Sequence, residues 1–284
     1  MAHRHHHHAT AEDDGSAMAE LLDLDAEIFR PVLTEVIGLI HGLAAGMPVR
    51  RILDLGSGTG TGVFALLQRF EDADAIAVDT SAQMLHRVED RARDLGVARR
   101  LRTVEADLDA AWPAVGTVDL VWASASMHHM TDPARVLTDV FAALRPGGLL
   151  AMMELDSFPR SLPGDLGIGR PGLEDRCHAA LAEAHAAEMP HFHADWSSFL
   201  SGAGFTVEVA QTFTVDLPPP LSEHSRRYAL AFLRRIRSRV EDRLSAEDLA
   251  TLDTVIDGDG PDGALRRDDL FVRGTRTALV ARRP

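Results

Sequence analysis

The sequence predicts an α/β fold, a doubly wound sheet of mainly parallel strands with helices on both faces. Three observations predict it. Between Arg51 and Leu155, short apolar runs alternate with segments whose apolar residues recur at helical spacing. Such alternation implies parallel pairing through right-handed crossovers. The first run, Arg51 to Leu55, breaks into Gly56-Ser57-Gly58-Thr59-Gly60-Thr61-Gly62. There the backbone can turn tightly and approach a ligand with no Cβ in the way. The second run, Ala75 to Val78, ends on Asp79. A carboxylate at that strand end can accept hydrogen bonds from both hydroxyls of a ribose.

The elements follow in order. Residues 1–17 read as an expression tag: His3 and His5 to His8 precede Gly15-Ser16-Ala17-Met18, which resembles a cloning join. They are set aside from the fold. A native metal-binding histidine tract is the alternative. Residues 18–155 hold N-terminal helices and the ligand-binding core. Ala19 to Ala45 is helical in pattern, and Pro31 opens a second helix with the stripe Val32, Leu33, Val36, Ile37, Ile40 and Leu43. The helix from about Gly62 to Phe70 points its free N–H groups and positive dipole end over the glycine turn. Thr80 or Ser81 caps the next helix, with Met84, Leu85, Val88, Ala92 and Leu95 on its apolar face. Leu101 to Val104 is a third strand, followed by Glu105-Ala106-Asp107. Val118 to Ala123 is a fourth, followed by Ser124-Ala125-Ser126-Met127-His128-His129. Asp132 and Pro133 start a helix that Arg145-Pro146-Gly147-Gly148 stops, and Leu149 to Leu155 is strand five.

Then the alternation lapses. Residues 156–194 form an insertion, rich in proline and glycine, with a helix from Leu173 to about Glu188. Residues 195–217 return to the core through a short helix ending at Gly202 and a strand marked by Phe205, Val207 and Val209. Residues 218–267 form a second insertion. One of its helices carries Tyr228, Phe232, Leu233, Ile236, Val240 and Leu244, and another is capped by Ser245. Residues 268–284 supply the last core strand, Arg276 to Arg282.

The glycine spacing narrows the ligand. A dinucleotide fingerprint needs glycine where Thr61 or Val63 stands. A phosphate-binding P-loop needs a lysine, and the sequence contains none. What remains, Asp54 to Gly60 followed by Asp79, resembles the first motif of the class I S-adenosylmethionine-dependent methyltransferases. Asp119-Leu120-Val121, the histidine pair, Asp132-Pro133 and Leu144 to Gly148 extend the likeness. It is greatest to the small-molecule methyltransferases grouped with ubiquinone and menaquinone biosynthesis enzymes. Specific motifs cover Arg50 to Leu155, and the last two strands match by pattern only.

The resemblance implies a Rossmann-like, seven-stranded sheet, six strands parallel and the last antiparallel. It implies S-adenosylmethionine as cofactor, S-adenosylhomocysteine as product, and a small-molecule acceptor reacting through O, N or C in secondary or quinone-like metabolism. Asp54, Gly56, Ser57 and Gly58 would meet the methionine portion, Asp79 the ribose, and Asp107 and Leu108 the adenine. Thr80, Met84 and Ser124 complete the expected cofactor set. His128 and His129 stand where a base could take a proton from the acceptor. The alternative is that one packs beneath the cofactor and the other shapes the loop.

Both insertions are expected to fold over the carboxyl edge as a helical cap, bringing His191, Trp196, Tyr228 and Phe232 to the acceptor. Their apolar stripes must be buried somewhere, and a homodimer interface is the rival burial. His191 and His193 lack an identifiable third ligand, so no metal is expected. The 284 residues carry a net charge of -14 with a pI near 5.4, which argues against a nucleic-acid partner. The single cysteine, Cys177, excludes an intramolecular disulfide, and the lack of lysine excludes Schiff-base chemistry. No apolar run approaches the ~20 residues of a membrane helix. The expectation is a cytoplasmic enzyme with no membrane partner. Three alternatives stand beside it: a protein or RNA methyltransferase, a protein that binds the cofactor and transfers nothing, and a nicotinamide oxidoreductase, which the glycine spacing disfavours.

Overall fold

The structure, a computed structural model, describes residues 11–186 and 189–284. The histidines of the tag-like leader lie outside the described residues. The strands are β1 (Arg51–Leu55), β2 (Asp74–Asp79), β3 (Leu101–Glu105), β4 (Val118–Ser124), β5 (Leu144–Leu155), β6 (Thr206–Leu217) and β7 (Val272–Arg282). They form one seven-stranded sheet in the order β3-β2-β1-β4-β5-β7-β6. Strands β1 to β5 pair in parallel, and β7 runs antiparallel to both β5 and β6. This is the Rossmann-like sheet that the sequence predicts.

Alternate residues of the buried strands feed two cores. On one face, Ile52, Leu120, Trp122, Leu149, Ala151 and Val280 pack with α2 (Arg30–Leu43), α3 (Thr61–Arg69) and part of α4 (Ala82–Asp94). On the other, Leu53, Leu55, Val121, Leu150, Met152 and Leu279 pack with α5 (Pro133–Ala143) and α7 (Trp196–Gly202). Burial on both faces explains why β1 and β4 read as continuous apolar runs. Side chains stop the chain where the helices begin. Ser81 Oγ accepts from Met84 N at 3.3 Å, and Asp132 Oδ1 accepts from Arg135 N at 3.0 Å.

Several boundaries differ from expectation, among them β5, which begins at Leu144 rather than Leu149, and β7, which begins at Val272 rather than Arg276. Helix α1 spans Ala11–Ile28, so it starts inside the tag-like segment rather than at Ala19. Helix α6 spans Leu173–His185, shorter than the sequence suggests. Strand β6 continues to Leu217 because β7 offers it a matching ladder, from Thr206 opposite Arg282 to Leu217 opposite Val272. Val207 and Val209 are only half-buried on this sheet edge, so the alternation that would mark the strand's full length is faint.

The insertions lie where the stripes find cover. Helix α8 (Glu223–Arg239) packs along α1, and α6 and α9 (Ala246–Asp257) pack against α8. Tyr228, Leu233, Ile236, Leu252 and Val255 share one core with Val36, Ile40 and Trp122. The helices thus back α1 as an outer layer of the first face. Leu233 is fully buried there (0% exposed). Leu233→Ala should lower unfolding free energy by about 2–5 kcal/mol in a urea titration. A loss well below 1 kcal/mol would show that α8 is not part of this core.

Candidate functional site

A cavity of about 530 Å³ opens at the carboxyl edge of β1, β2 and β4. The glycine turn forms its floor. Gly56 has φ +67°, and a Cβ there would stand 2.5 Å from Ser126 Cβ, so no other residue fits without displacement. Gly56 N and Ser57 N donate to Val78 O at 2.9 and 3.0 Å, pinning the turn to β2. Asp79 completes the clamp. Its Oδ2 accepts from Gly58 N at 2.8 Å and its Oδ1 accepts from Ser81 N at 2.9 Å. A carboxylate offers about four acceptor positions, so both oxygens can still take a ligand hydroxyl.

Asp54 lies beneath the turn, 2% exposed, and its Oδ2 has no partner. Burial, and secondarily the charge of Asp79, push its pKa up to about 8, against a smaller opposing pull from the Val63 amide. Ser57 Oγ and Thr61 Oγ1 are also buried without partners. Three orphaned polar groups around a glycine cradle fit the polar end of an amino-acid-bearing ligand. Asp107 is exposed at the other end of the cavity, its Oδ1 accepting from Asp109 N at 2.9 Å, with Leu108 buried beside it. Thr80, Met84 and Ser124 line the same cavity. Every cofactor position expected from the sequence therefore faces one space.

The histidine pair divides. His128 is 3% exposed, its Nδ1 lies 2.5 Å from Glu154 Oε2, and it does not line the cavity. Glu154 Oε1 also accepts from Ser126 N at 3.2 Å and Met127 N at 3.0 Å. His129 is exposed and lines the cavity, its ring centroid 4.2 Å from that of His128. Ala125, just before, holds φ +50°, a conformation costing a side chain roughly 1–2 kcal/mol. Glu154 and the Ala125 N bond to Met153 O (2.8 Å) keep it there. The role of Glu154 escaped the sequence reading, although a carboxylate ending an otherwise apolar strand was visible.

The four acceptor residues expected from the insertions are placed elsewhere. His191 sits edge-on to Phe199, and Trp196 is buried among Leu200 and the far-face core. Phe232 is buried with Phe158 and Tyr228 nearby, and Tyr228 donates its hydroxyl to Asp25 Oδ1 at 3.1 Å. None of the four lines the cavity. The physical reason is that α1 covers the stripe of α8 and itself supplies the cavity wall, through Met18, Leu22, Asp25 and Ala26. Asp25 and its partner Arg276 also escaped the sequence reading, since nothing local links a helix residue to a strand residue 251 positions later.

Asp54 makes the ligand-free protein pH-sensitive. Its folded pKa of about 8 exceeds its ordinary 3.8, so between those values the native state holds a proton that the unfolded chain has lost. Stability is then greatest on the acid side and falls as pH rises from about 4 to about 8. Asp54→Asn should remove that contribution. Denaturant midpoints at about pH 5 and about pH 9 should draw apart in the wild type more than in the variant. Equal pH dependence in both would show that Asp54 is ionised when buried.

Comparison with known proteins bears on the same region. Residues 52–148 match the family described as "Methyltransferase domain". A trans-aconitate 2-methyltransferase of Azoarcus sp. (strain BH72) is 37% identical over 101 residues, covering 36% of this chain and 37% of that protein. The chain thus matches little more than a third of that relative's length. A Bacillus halodurans protein superimposes with TM-score 0.56 at 16% identity, covering 87% of this chain and 98% of its own. Phosphoethanolamine N-methyltransferase 2 of Haemonchus contortus, solved with S-adenosylhomocysteine, gives TM-score 0.51 at 16% identity, covering 96% and 58%. The fold is shared across nearly the whole chain, and the likeness in sequence to methyltransferase domains is concentrated on the strands and loops that surround the cavity.

Proposed function

We propose that this protein transfers a methyl group from S-adenosylmethionine to a small-molecule acceptor. The observation that carries the reading is the meeting of three features in one cavity: the glycine turn, the unpartnered Asp54 carboxyl and the clamped Asp79 carboxylate. The likeness of residues 52–148 to methyltransferase domains supports it. When bound, the cofactor supplies a methyl group already activated by its sulfonium. Asp54, Ser57 and the turn would hold its amino-acid end, Asp79 its ribose, and Asp107 with Leu108 its adenine.

The chain's remaining work is positioning. An acceptor atom must sit about 3 Å from the methyl carbon, on the side opposite sulfur. Phe29, Leu33, Trp122 and Met153 wall the cavity beyond the glycine turn and favour an acceptor with apolar surface. That supports a substrate of secondary or quinone-like metabolism over a protein or RNA, as does the net charge of -14. If the acceptor must lose a proton, His129 is the imidazole on the cavity. His128 and Glu154 act one step back, holding the turn that presents it.

Calorimetry should show binding of S-adenosylmethionine and S-adenosylhomocysteine and none of NAD. Asp79→Ala should weaken that binding by about 2–4 kcal/mol, having lost charge-assisted bonds. NAD binding without sulfonium binding would refute the reading. His129→Ala should keep cofactor affinity and slow turnover by about a hundredfold or more if it is the base. Undiminished turnover would leave positioning as the whole mechanism.

A further inference from the structure

The wall of the same cavity carries an ion pair. Arg276 Nη2 donates to both carboxylate oxygens of Asp25, at 2.7 and 2.6 Å. Tyr228 donates to the same carboxylate. The guanidinium lies 3.7 Å from the centroid of the Phe29 ring. That ring can settle there because Gly274, two residues earlier on β7, has no Cβ, which would stand 2.9 Å from Phe29 Cζ. Arg276 is 6% exposed, both it and Asp25 line the cavity, and its Nε has no partner. Nothing in the cofactor set uses this pair.

Its charge balance has a consequence for what can bind. Arg276 is the one arginine on the cavity wall among the described residues, and its charge is already offset by Asp25. Besides the imidazole of His129, the other titratable lining groups are carboxyls: Asp79, Asp107, Asp109 and Asp54, which burial holds toward its protonated form. A carboxylate ligand would give up its hydration, meet these carboxyls and find the one guanidinium already compensated. A neutral ligand loses far less hydration on entering. We infer that the Asp25–Arg276 pair, its charges mutually offset, selects an electroneutral, largely apolar acceptor and turns polycarboxylates away. The inference rests on the methyltransferase reading only for the word acceptor. It separates this chain from the substrate named for the trans-aconitate methyltransferase it resembles, which is a tricarboxylate.

The test uses the full chain saturated with S-adenosylhomocysteine. Saturation, followed by calorimetry, reports on the methyltransferase reading by itself. Methyl benzoate and benzoate then serve as a neutral and an anionic probe of similar shape, with trans-aconitate as a third. The wild type should bind methyl benzoate at least about tenfold more tightly than benzoate, and trans-aconitate weakest of all. Asp25→Asn, which leaves Arg276 uncompensated, should shrink or invert the ratio. Arg276→Leu, which leaves Asp25 uncompensated, should weaken benzoate and trans-aconitate further. Benzoate or trans-aconitate binding the wild type as tightly as methyl benzoate overturns the inference, and so does an absence of methyl benzoate binding at millimolar concentration. The wild-type ratio decides even if a variant does not fold. If S-adenosylhomocysteine fails to bind while the ratio holds, the methyltransferase reading falls and the neutral pocket stands.

Discussion

A parallel sheet ends all its strands along one edge, and here that edge gathers carboxyl groups. Asp54, Asp79, Asp107 and Glu154 stand at or just past the ends of β1, β2, β3 and β5. Like charges held this close in a poorly hydrated place are unstable unless each is answered. The structure answers each differently. Asp79 takes two backbone N–H groups, and Glu154 takes two more together with His128. Asp107 stays in water and closes a local turn. Asp54 is buried with its Oδ2 unpartnered, and that burial drives it toward the protonated form. The loops over this edge are shaped by those bonds.

This arrangement separates the groups that hold structure from those left for a ligand. Glu154 and His128 satisfy each other and rigidify the turn after β4, where Ala125 carries the strain. Asp54, Ser57 and Thr61 retain unmet hydrogen-bonding capacity. Unmet capacity in a buried site is a stored cost, which a ligand of matching polarity removes. The apolar wall from α1 and Phe29 makes the opposite demand. A single cavity therefore asks for a ligand polar at one end, with an apolar molecule beside it.

The cofactor edge was legible in the sequence because its signals are local. A glycine run between an apolar strand and a helix, and an acid ending the next strand, each fit within a dozen residues. The helices α8 and α9 were legible as helices, since their stripes recur at regular spacing. A stripe states that a face must be buried, not against what. Tyr228 and Phe232 were therefore read as lining an acceptor pocket, when α1 and the core take them. Asp25 with Arg276 could not be read at all. Their pairing depends on the bare backbone at Gly274, on the tilt of α1 and on where β7 enters the sheet, and all three are tertiary.

That entry point bears on how the chain folds as it is made. Strand β7 lies between β5 and β6, so β6 has no neighbour in the sheet until β7 has been made. Arg276 is likewise made 251 residues after Asp25. Closing a loop of that span is entropically slow, and contacts of such separation form late. During synthesis the glycine turn and its clamp can assemble from β1 and β2 alone, while the wall carrying Asp25 must wait for α8 to pack on α1 and for Arg276 to pair with it. A nascent chain would thus hold a half-built cavity, its β6 ladder unpaired and its α1 carboxylate without a cation, until β7 emerges.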